Sequence, residues 1–317
     1  MPKVSVIIPI FGVEKYIERC ARSLFEQTLD DIEYLFVDDC SPDDSVNILM
    51  KVLEDYPNRK NQVVLHHMDK NSGQAAVRKW GMLNATGEYI TQCDSDDWVD
   101  LTIYQKLYEK AITDNSDIVV CGYLETDGRR IIAEGRHVFD NKEEYLLRML
   151  YSNETWAVWD KIYKRDLVRG IEFPQYNMGE DMLLTFQIVL NANRVSIVSE
   201  CLYNYFYNAA SITKVCDEDK CYSNWKQSTL NAERTFNVLN KANLSLKFAD
   251  AIEYQRYKQK KLAGKLACNY KYSKEWLNVF SSVHNSFWRL KNLSIMEKCK
   301  FLVVLVLAKM VTYLRCS

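Results

Sequence analysis

Histidine is scarce in this chain of 317 residues. His66, His67, His137 and His284 are the only four, and their scatter argues against a histidine-rich metal centre. The ten cysteines include no Cys-x-x-Cys pair, and Cys93, Cys121, Cys201 and Cys268 fall in apolar runs. Buried free thiols in a reducing cytosol are therefore expected, not disulfides or zinc. Proline is absent beyond Asp217, where the sequence reads as helix. The apolar run Phe301–Ala308 falls well short of the about 20 residues that cross a bilayer, and Lys309 interrupts it. There is no signal-peptide pattern, repeat or low-complexity segment. Met1-Pro2-Lys3 leads straight into an apolar strand, so a cytoplasmic protein is expected.

What is present describes an ordinary globular chain, 48% hydrophobic and 26% charged, long enough for one large domain or a domain plus a smaller one. The net charge of −1 hides an asymmetry. Residues 251–317 carry 13 lysines and arginines against three acidic residues, a balance of +10 that leaves −11 for residues 1–250. A basic tail on an acidic body suits an anionic partner such as a membrane surface, or else is a solvated basic helical face.

Val4–Ile10 is a nearly continuous apolar run, as in a parallel strand covered on both faces. Phe11-Gly12 closes it, and Val13, Tyr16, Ile17, Cys20 and Leu24 recur at helical spacing. A second strand, Tyr34–Val37, runs into Asp38-Asp39 and the turn Cys40-Ser41-Pro42-Asp43-Asp44, which puts carboxylates where open α/β sheets bind ligands. A helix over Ser45–Asp55, a strand over Val63–His67, a helix from Leu101 and a strand over Asp117–Cys121 continue the alternation, and together predict a doubly wound parallel sheet. Further on, Arg129–Gly135 reads as a hairpin arm, Lys142–Tyr151 as helix, Trp156–Tyr163 as strand and Asp181–Leu190 as helix. Two strands near Val195–Val198 and Cys201–Tyr207 complete a domain over residues 1–213. A boundary between Ser211 and Asp217 then separates it from a helical region, 214–317.

The stretch Asn71–Trp98 organises the rest. It contains a Gly-bearing turn, a helical segment, a short strand and then Asp94-Ser95-Asp96-Asp97. Unpaired carboxylates do not belong in a packed core. At a strand's mouth the three are expected to share a divalent cation, with oxygen ligands that suit Mg²⁺ or Mn²⁺, beside a nucleotide diphosphate.

These placements resemble family 2 glycosyltransferases of the GT-A fold, which invert the anomeric carbon. The matching pieces are Val4–Phe11, Val37–Asp43, Asn71-Ser72-Gly73 with Arg78, and Thr86–Ile90 leading into Asp94–Asp97. Trp159–Tyr163 and Gly179-Glu180-Asp181 also match. The resemblance covers residues 3–213 and implies a Rossmann-like, mostly parallel sheet flanked by helices, a nucleotide-sugar donor (UDP-linked) and Mn²⁺ or Mg²⁺. Phe11, beside Pro9, would stack on the base, the alternative being a core aromatic. Asp39 would accept from uracil N3–H, while Asp38 braces the turn. Asn71 and Gly73 join the donor set, and Arg78 would reach the phosphates or the acidic cluster. Asp96 would bind the metal, with Asp94 nearer the ribose or a metal-bound water and Asp97 a supporting or helix-starting residue. The chain has Val77-Arg78-Lys79 where the family often shows Ala-Arg-Asn.

The resemblance also implies Asp181 as general base, with Glu180 orienting the acceptor or raising the Asp181 pKa; otherwise the pair only starts a helix. Trp159 and Lys161 would line the acceptor side, or be a core Trp and an exposed Lys. The Gln-x-x-Arg-Trp motif of processive members is missing, and Tyr203–Asn208 stands in the comparable region, which suits addition of a single sugar. The acceptor class implied is a polysaccharide or lipid-linked glycan precursor at the inner membrane face. A nucleotidyltransferase is the enzymatic alternative, though Phe11-Gly12-Val13-Glu14 supplies no basic phosphate loop; a non-catalytic scaffold is the other. Nucleic-acid binding is not expected beside so acidic a cluster. Lys300–Leu314 is left open between a membrane-surface helix and packing on the catalytic domain or a second subunit of a homo-oligomer.

Overall fold

The computed structural model describes residues 1–207 and 217–316. The boundary expected between Ser211 and Asp217 therefore falls almost wholly outside the described residues, as does Asn208. Two compact units are present: Met1–Glu144, Trp156–Asn177 and Leu184–Ala209 form the first, and Tyr145–Thr155, Met178–Leu183 and Ala210–Ser317 the second.

The first unit starts with β1 (Val4–Ile10), α1 (Ile17–Phe25), β2 (Ile32–Asp38), α2 (Ser45–Glu54), β3 (Val63–His67), α3 (Gln74–Asn84), β4 (Tyr89–Gln92), β5 (Trp98–Val99), α4 (Ile103–Asp114), β6 (Ile118–Thr126) and β7 (Ile131–Gly135). Later come β8 (Lys161–Lys164) and β9 (Val195–Phe206), while α5 (Lys142–Leu150) and α6 (Glu180–Asn191) are each divided between the two units. α1 shows why such segments fold as they do. Its buried residues Ile17, Cys20, Ala21, Leu24 and Phe25 repeat at helical spacing, giving one apolar stripe to lay on the sheet.

The sheet order is β3-β2-β1-β4-β8-β6-β9-β5, with β7 on β6. β3, β2, β1 and β4 run parallel, as expected. Beyond β4 the sheet turns mixed, since β8 is antiparallel to both β4 and β6 and β5 is antiparallel to β9. The α/β, GT-A-like class stands, but the sheet is mixed: beyond β4 only β6 and β9 pair in parallel. The first crossovers run outward from β1 through β2 to β3, and the chain then returns to put β4 on the other side. A crevice therefore opens at the carboxyl ends of β1 and β4, where such sheets bind ligands.

Two expected strands need correction. Of the Trp156–Tyr163 run only Lys161–Tyr163 is strand, in β8; Ala157, Val158 and Asp160 are buried without being part of it. The two strands expected across 195–207 are one, β9, which follows β6 with register shifts around Gly122. The cysteine expectation also changes. Cys20, Cys40, Cys93, Cys121, Cys201, Cys221, Cys268 and Cys299 are free, yet Cys268 is exposed and Cys201 only half-buried.

The second unit is helical, as the proline-free sequence predicts: α7 (Glu218–Lys241), α8 (Ala249–Leu262), α9 (Gly264–Ala267), α10 (Ser273–Asn278), α11 (Val283–Ser286) and α12 (Ile295–Cys316). Asp217 caps α7 by accepting from the Lys220 N–H at 2.7 Å. Trp225, Tyr257, Trp276, Phe287 and Phe301 build the core of this unit. No helix among the described residues is long and apolar enough to cross a membrane.

Candidate donor site and acceptor-side helix

The crevice is built from the ends of β1, β2 and β4. Pro9 lies where β1 still pairs with β2 but β4, which matches only Val4–Ile7, has ended. Its missing N–H therefore breaks no bond on that side. Two residues on, Phe11 is 46% exposed, so the core-aromatic alternative is excluded and the ring is free to stack.

At the end of β2 the two carboxylates divide their work. Asp38 accepts from the Ser41 N–H at 2.9 Å and pairs with His67 Nδ1 at 2.9 Å, bracing the turn as expected. Asp39 is buried and accepts from the N–H groups of Ser72 (2.6 Å) and Gly73 (2.8 Å). It thereby ties the Asn71–Gly73 turn to the sheet, with lone pairs left over for a further donor.

Gly73 is required there. Its φ of +84° and ψ of 161° belong to a region almost closed to L side chains, and an added Cβ would lie 2.3 Å from the Asn177 side chain. Asn177 in turn accepts from the Ala75 N–H at 3.1 Å, closing the first turn of α3 from a segment a hundred residues away. No local pattern signals that partner.

The acidic loop after β4 separates into two halves. Arg78, buried on α3, donates to Asp94 Oδ1 at 2.7 Å, so it reaches the acidic cluster directly, and Gln74 approaches the same oxygen at 3.4 Å. Asp96 is half-buried. Burial first, then the neighbouring Asp94 charge, pushes its carboxyl up to about 6, against the pull of Arg19. The Arg19 guanidinium lies 3.7 Å over the Trp98 ring and donates to the Asp96 carbonyl at 2.7 Å.

Asp97 does not share a cation with the other two carboxylates but takes the supporting place that the resemblance implies. It is wholly buried, accepting from the Tyr203 hydroxyl at 2.6 Å and the Phe206 N–H at 2.7 Å. Those bonds make the burial tolerable, although burial and the Asp96 and Asp94 charges hold its carboxyl well above the ordinary range. The Tyr203 hydroxyl also accepts from the Asp94 N–H at 3.1 Å. Tyr203 was invisible as a site residue in the sequence, since its partners lie over a hundred positions away.

No group of three or more metal-ligating side chains is assembled among the described residues. The residues present fit a divalent cation of another kind, held by one or two carboxylates and otherwise by phosphate and water oxygens. Burial and, after it, the Asp94 charge raise the Asp96 carboxyl, and a bound cation would offset both.

Lys161 overturns the expectation of an exposed lysine. It is 1% exposed, with its ammonium on the Ala157 carbonyl and the Asp160 carboxylate. Burial alone would raise the Asp160 carboxyl, but Lys161 and His137 (Nε2 at 3.1 Å) outweigh it and hold it down. Trp159 stacks on Tyr203 at 4.3 Å and on Tyr205 at 5.7 Å.

In the second unit, Asn231 of α7 donates to the Met178 carbonyl at 2.9 Å, holding the turn that starts α6. Gly179 has φ +71°, after which Glu180 (3% exposed) and Asp181 form the first turn of the helix. Asp181 is half-buried and accepts from the Met182 N–H at 2.8 Å.

Comparison with known proteins follows the same outline. Residues 5–159 match the sequence profile described as Glycosyl transferase family 2. The chain is 34% identical over 226 residues to the uncharacterized glycosyltransferase EpsJ of Bacillus subtilis, covering 68% of this chain and 64% of EpsJ. It thus spans just under two thirds of that relative. It is 30% identical over 264 residues to the cholesterol galactosyltransferase of Borreliella burgdorferi, covering 78% of this chain and 72% of that protein. In structure it resembles S. aureus TarS 1–349 in complex with UDP-GlcNAc, with TM-score 0.70 and 24% identity over 87% of this chain and 79% of that one.

Proposed function

The chain belongs to glycosyltransferase family 2, and we propose that it moves one sugar from a UDP-sugar to a hydroxyl acceptor with inversion at the anomeric carbon. Family membership removes the nucleotidyltransferase alternative. The observation that carries the donor half is the convergence of Phe11, the Asp39-tied turn and the Asp94/Asp96 pair at the ends of β1, β2 and β4. Phe11 offers an aromatic face for the base, and Asp39 an acceptor for its N–H. Pro9, Asn71, Gly73 and Arg78 shape the pocket around them, with Asp94 near the ribose or a metal-bound water. The TarS complex with UDP-GlcNAc supports a UDP-linked donor by likeness of fold.

Asp96 would hold a divalent cation (Mn²⁺ or Mg²⁺), which when bound would supply positive charge against the charge growing on the departing diphosphate. Asp181 takes the proton from the acceptor hydroxyl as its oxygen bonds to the anomeric carbon and the bond to the diphosphate breaks on the opposite face. Glu180 orients that acceptor. Residues 1–213 carry this chemistry. The acceptor is a polysaccharide or lipid-linked glycan precursor, met by the basic helical region 214–317 at the inner face of a membrane.

The test is a pair of variants. Asp181→Asn is expected to bind UDP with Mn²⁺ as the parent does while transfer falls by ~10²–10⁴-fold. Asp96→Asn is expected to lose the metal-dependent part of UDP binding by titration calorimetry. Full transfer by Asp181→Asn would refute the base assignment. A panel of nucleotide sugars in thermal-shift assays identifies the donor.

A further inference from the structure

α12 carries apolar side chains on two sides, and one side enters the core of the second unit. Phe301, Leu305 and Ala308 are buried in the core of the second unit. Leu302 (39% exposed), Val303, Val306, Leu307, Met310 and Tyr313 (74%) face solvent. At the helical advance of about 100° per residue these six occupy an arc of about 140°, and no charged side chain falls inside it. Charges stand at its borders instead. Lys309 is exposed just past the Leu302 edge, and Lys300 is exposed just past the Leu307 edge. Lys298 follows on the Lys309 side and donates to the Trp288 carbonyl at 2.9 Å, which sets the half-exposed Trp288 beside the start of the helix. The helix has a single carboxylate, Glu297, which points away from the arc and is paired with Lys261 at 2.9 Å.

We propose that this arc of α12 is the surface that docks on an anionic lipid bilayer, the helix lying in the interface with Lys300 and Lys309 on the headgroups to either side. Apolar width, lysines on both borders and an aromatic at the end are what an interfacial helix needs, and the helix does not qualify to span. Charge complementarity selects the occupant. A second copy on the same face would set Lys300 and Lys309 near their own equivalents with no carboxylate on the arc to meet them, whereas anionic headgroups neutralise both rows. The inference deepens the membrane part of the proposed function and rests on it for its setting, but it is independent of the donor and base assignments.

The experiment is sedimentation of the full chain with phosphatidylcholine vesicles, with and without phosphatidylglycerol. Wild type is expected to sediment with the mixed vesicles, less so at high salt, and only weakly with phosphatidylcholine alone. Val306→Asp with Met310→Glu alters exposed positions only. It is expected to weaken vesicle binding by at least about tenfold while circular dichroism and donor hydrolysis in solution stay unchanged. Lys300→Gln with Lys309→Gln is expected to abolish the preference for phosphatidylglycerol. Wild type left in the supernatant, equal binding to both vesicles, or a dimer in light scattering that the Val306/Met310 variant dissolves would each overturn the proposal. Donor hydrolysis reads the proposed function separately, so failure of one is not failure of the other.

Discussion

At the scale of single residues, Tyr203 ties the acidic loop together. One hydroxyl donates to the buried Asp97 carboxylate and accepts from the Asp94 N–H, so it fixes both ends of the four-residue turn that holds Asp96. Tyr203→Phe keeps the ring and its stacking on Trp159 but leaves two buried groups short of a partner. A loss of ~1–3 kcal/mol is expected in denaturant unfolding, together with weaker Mn²⁺-dependent UDP binding in calorimetry. The resemblance already sets Asp97 apart as a supporting residue, but no local pattern shows what does the supporting: Arg78 on Asp94 and Tyr203 on Asp97 come from distant parts of the chain.

At the scale of elements, α3 depends on how it begins. Gly73 takes a backbone conformation that a Cβ opposes, and the Cβ would strike Asn177, whose side chain closes the helix's first turn. Gly73→Ala is expected to cost ~1–3 kcal/mol in thermal unfolding and to lower donor affinity. Asn177→Ala, which removes the obstacle but also the bond to Ala75, would separate strain from lost capping. Elements with strong periodicity, such as β1, β3 and α1, were legible because their own residues decide them. The direction of β8 and the existence of β5, two residues long, were not, since pairing with distant strands decides them. The Trp156–Tyr163 run misled for a related reason. Its apolar residues are buried, as a strand's would be, yet the ladder begins only at Lys161, where the buried Asp160–Lys161–His137 cluster stands.

At the scale of the whole molecule, acid tolerance should be set partly by the helical unit. The His284 Nε2 is buried without a hydrogen-bond partner. Burial first, then the Lys260 and Lys309 charges, hold its imidazole down at about 4 against an ordinary value of 6.5. Between those values the unfolded chain binds a proton that the folded chain refuses, so stability rises with pH across that window and is lost on acidification. As the pH is lowered from 7 to 4, melting temperatures are expected to fall more steeply for wild type than for His284→Gln; parallel curves would exclude the effect. Composition foretold a helical, basic tail, yet not which turn of α12 would be left uncovered, because that depends on which residues the core claims first. The uncovered arc has a kinetic consequence. On the proposed bilayer contact, an enzyme held by such a strip would search for a lipid-borne acceptor in two dimensions, and its rate would follow how crowded that acceptor is within the lipid sheet and not how much of it the solution contains.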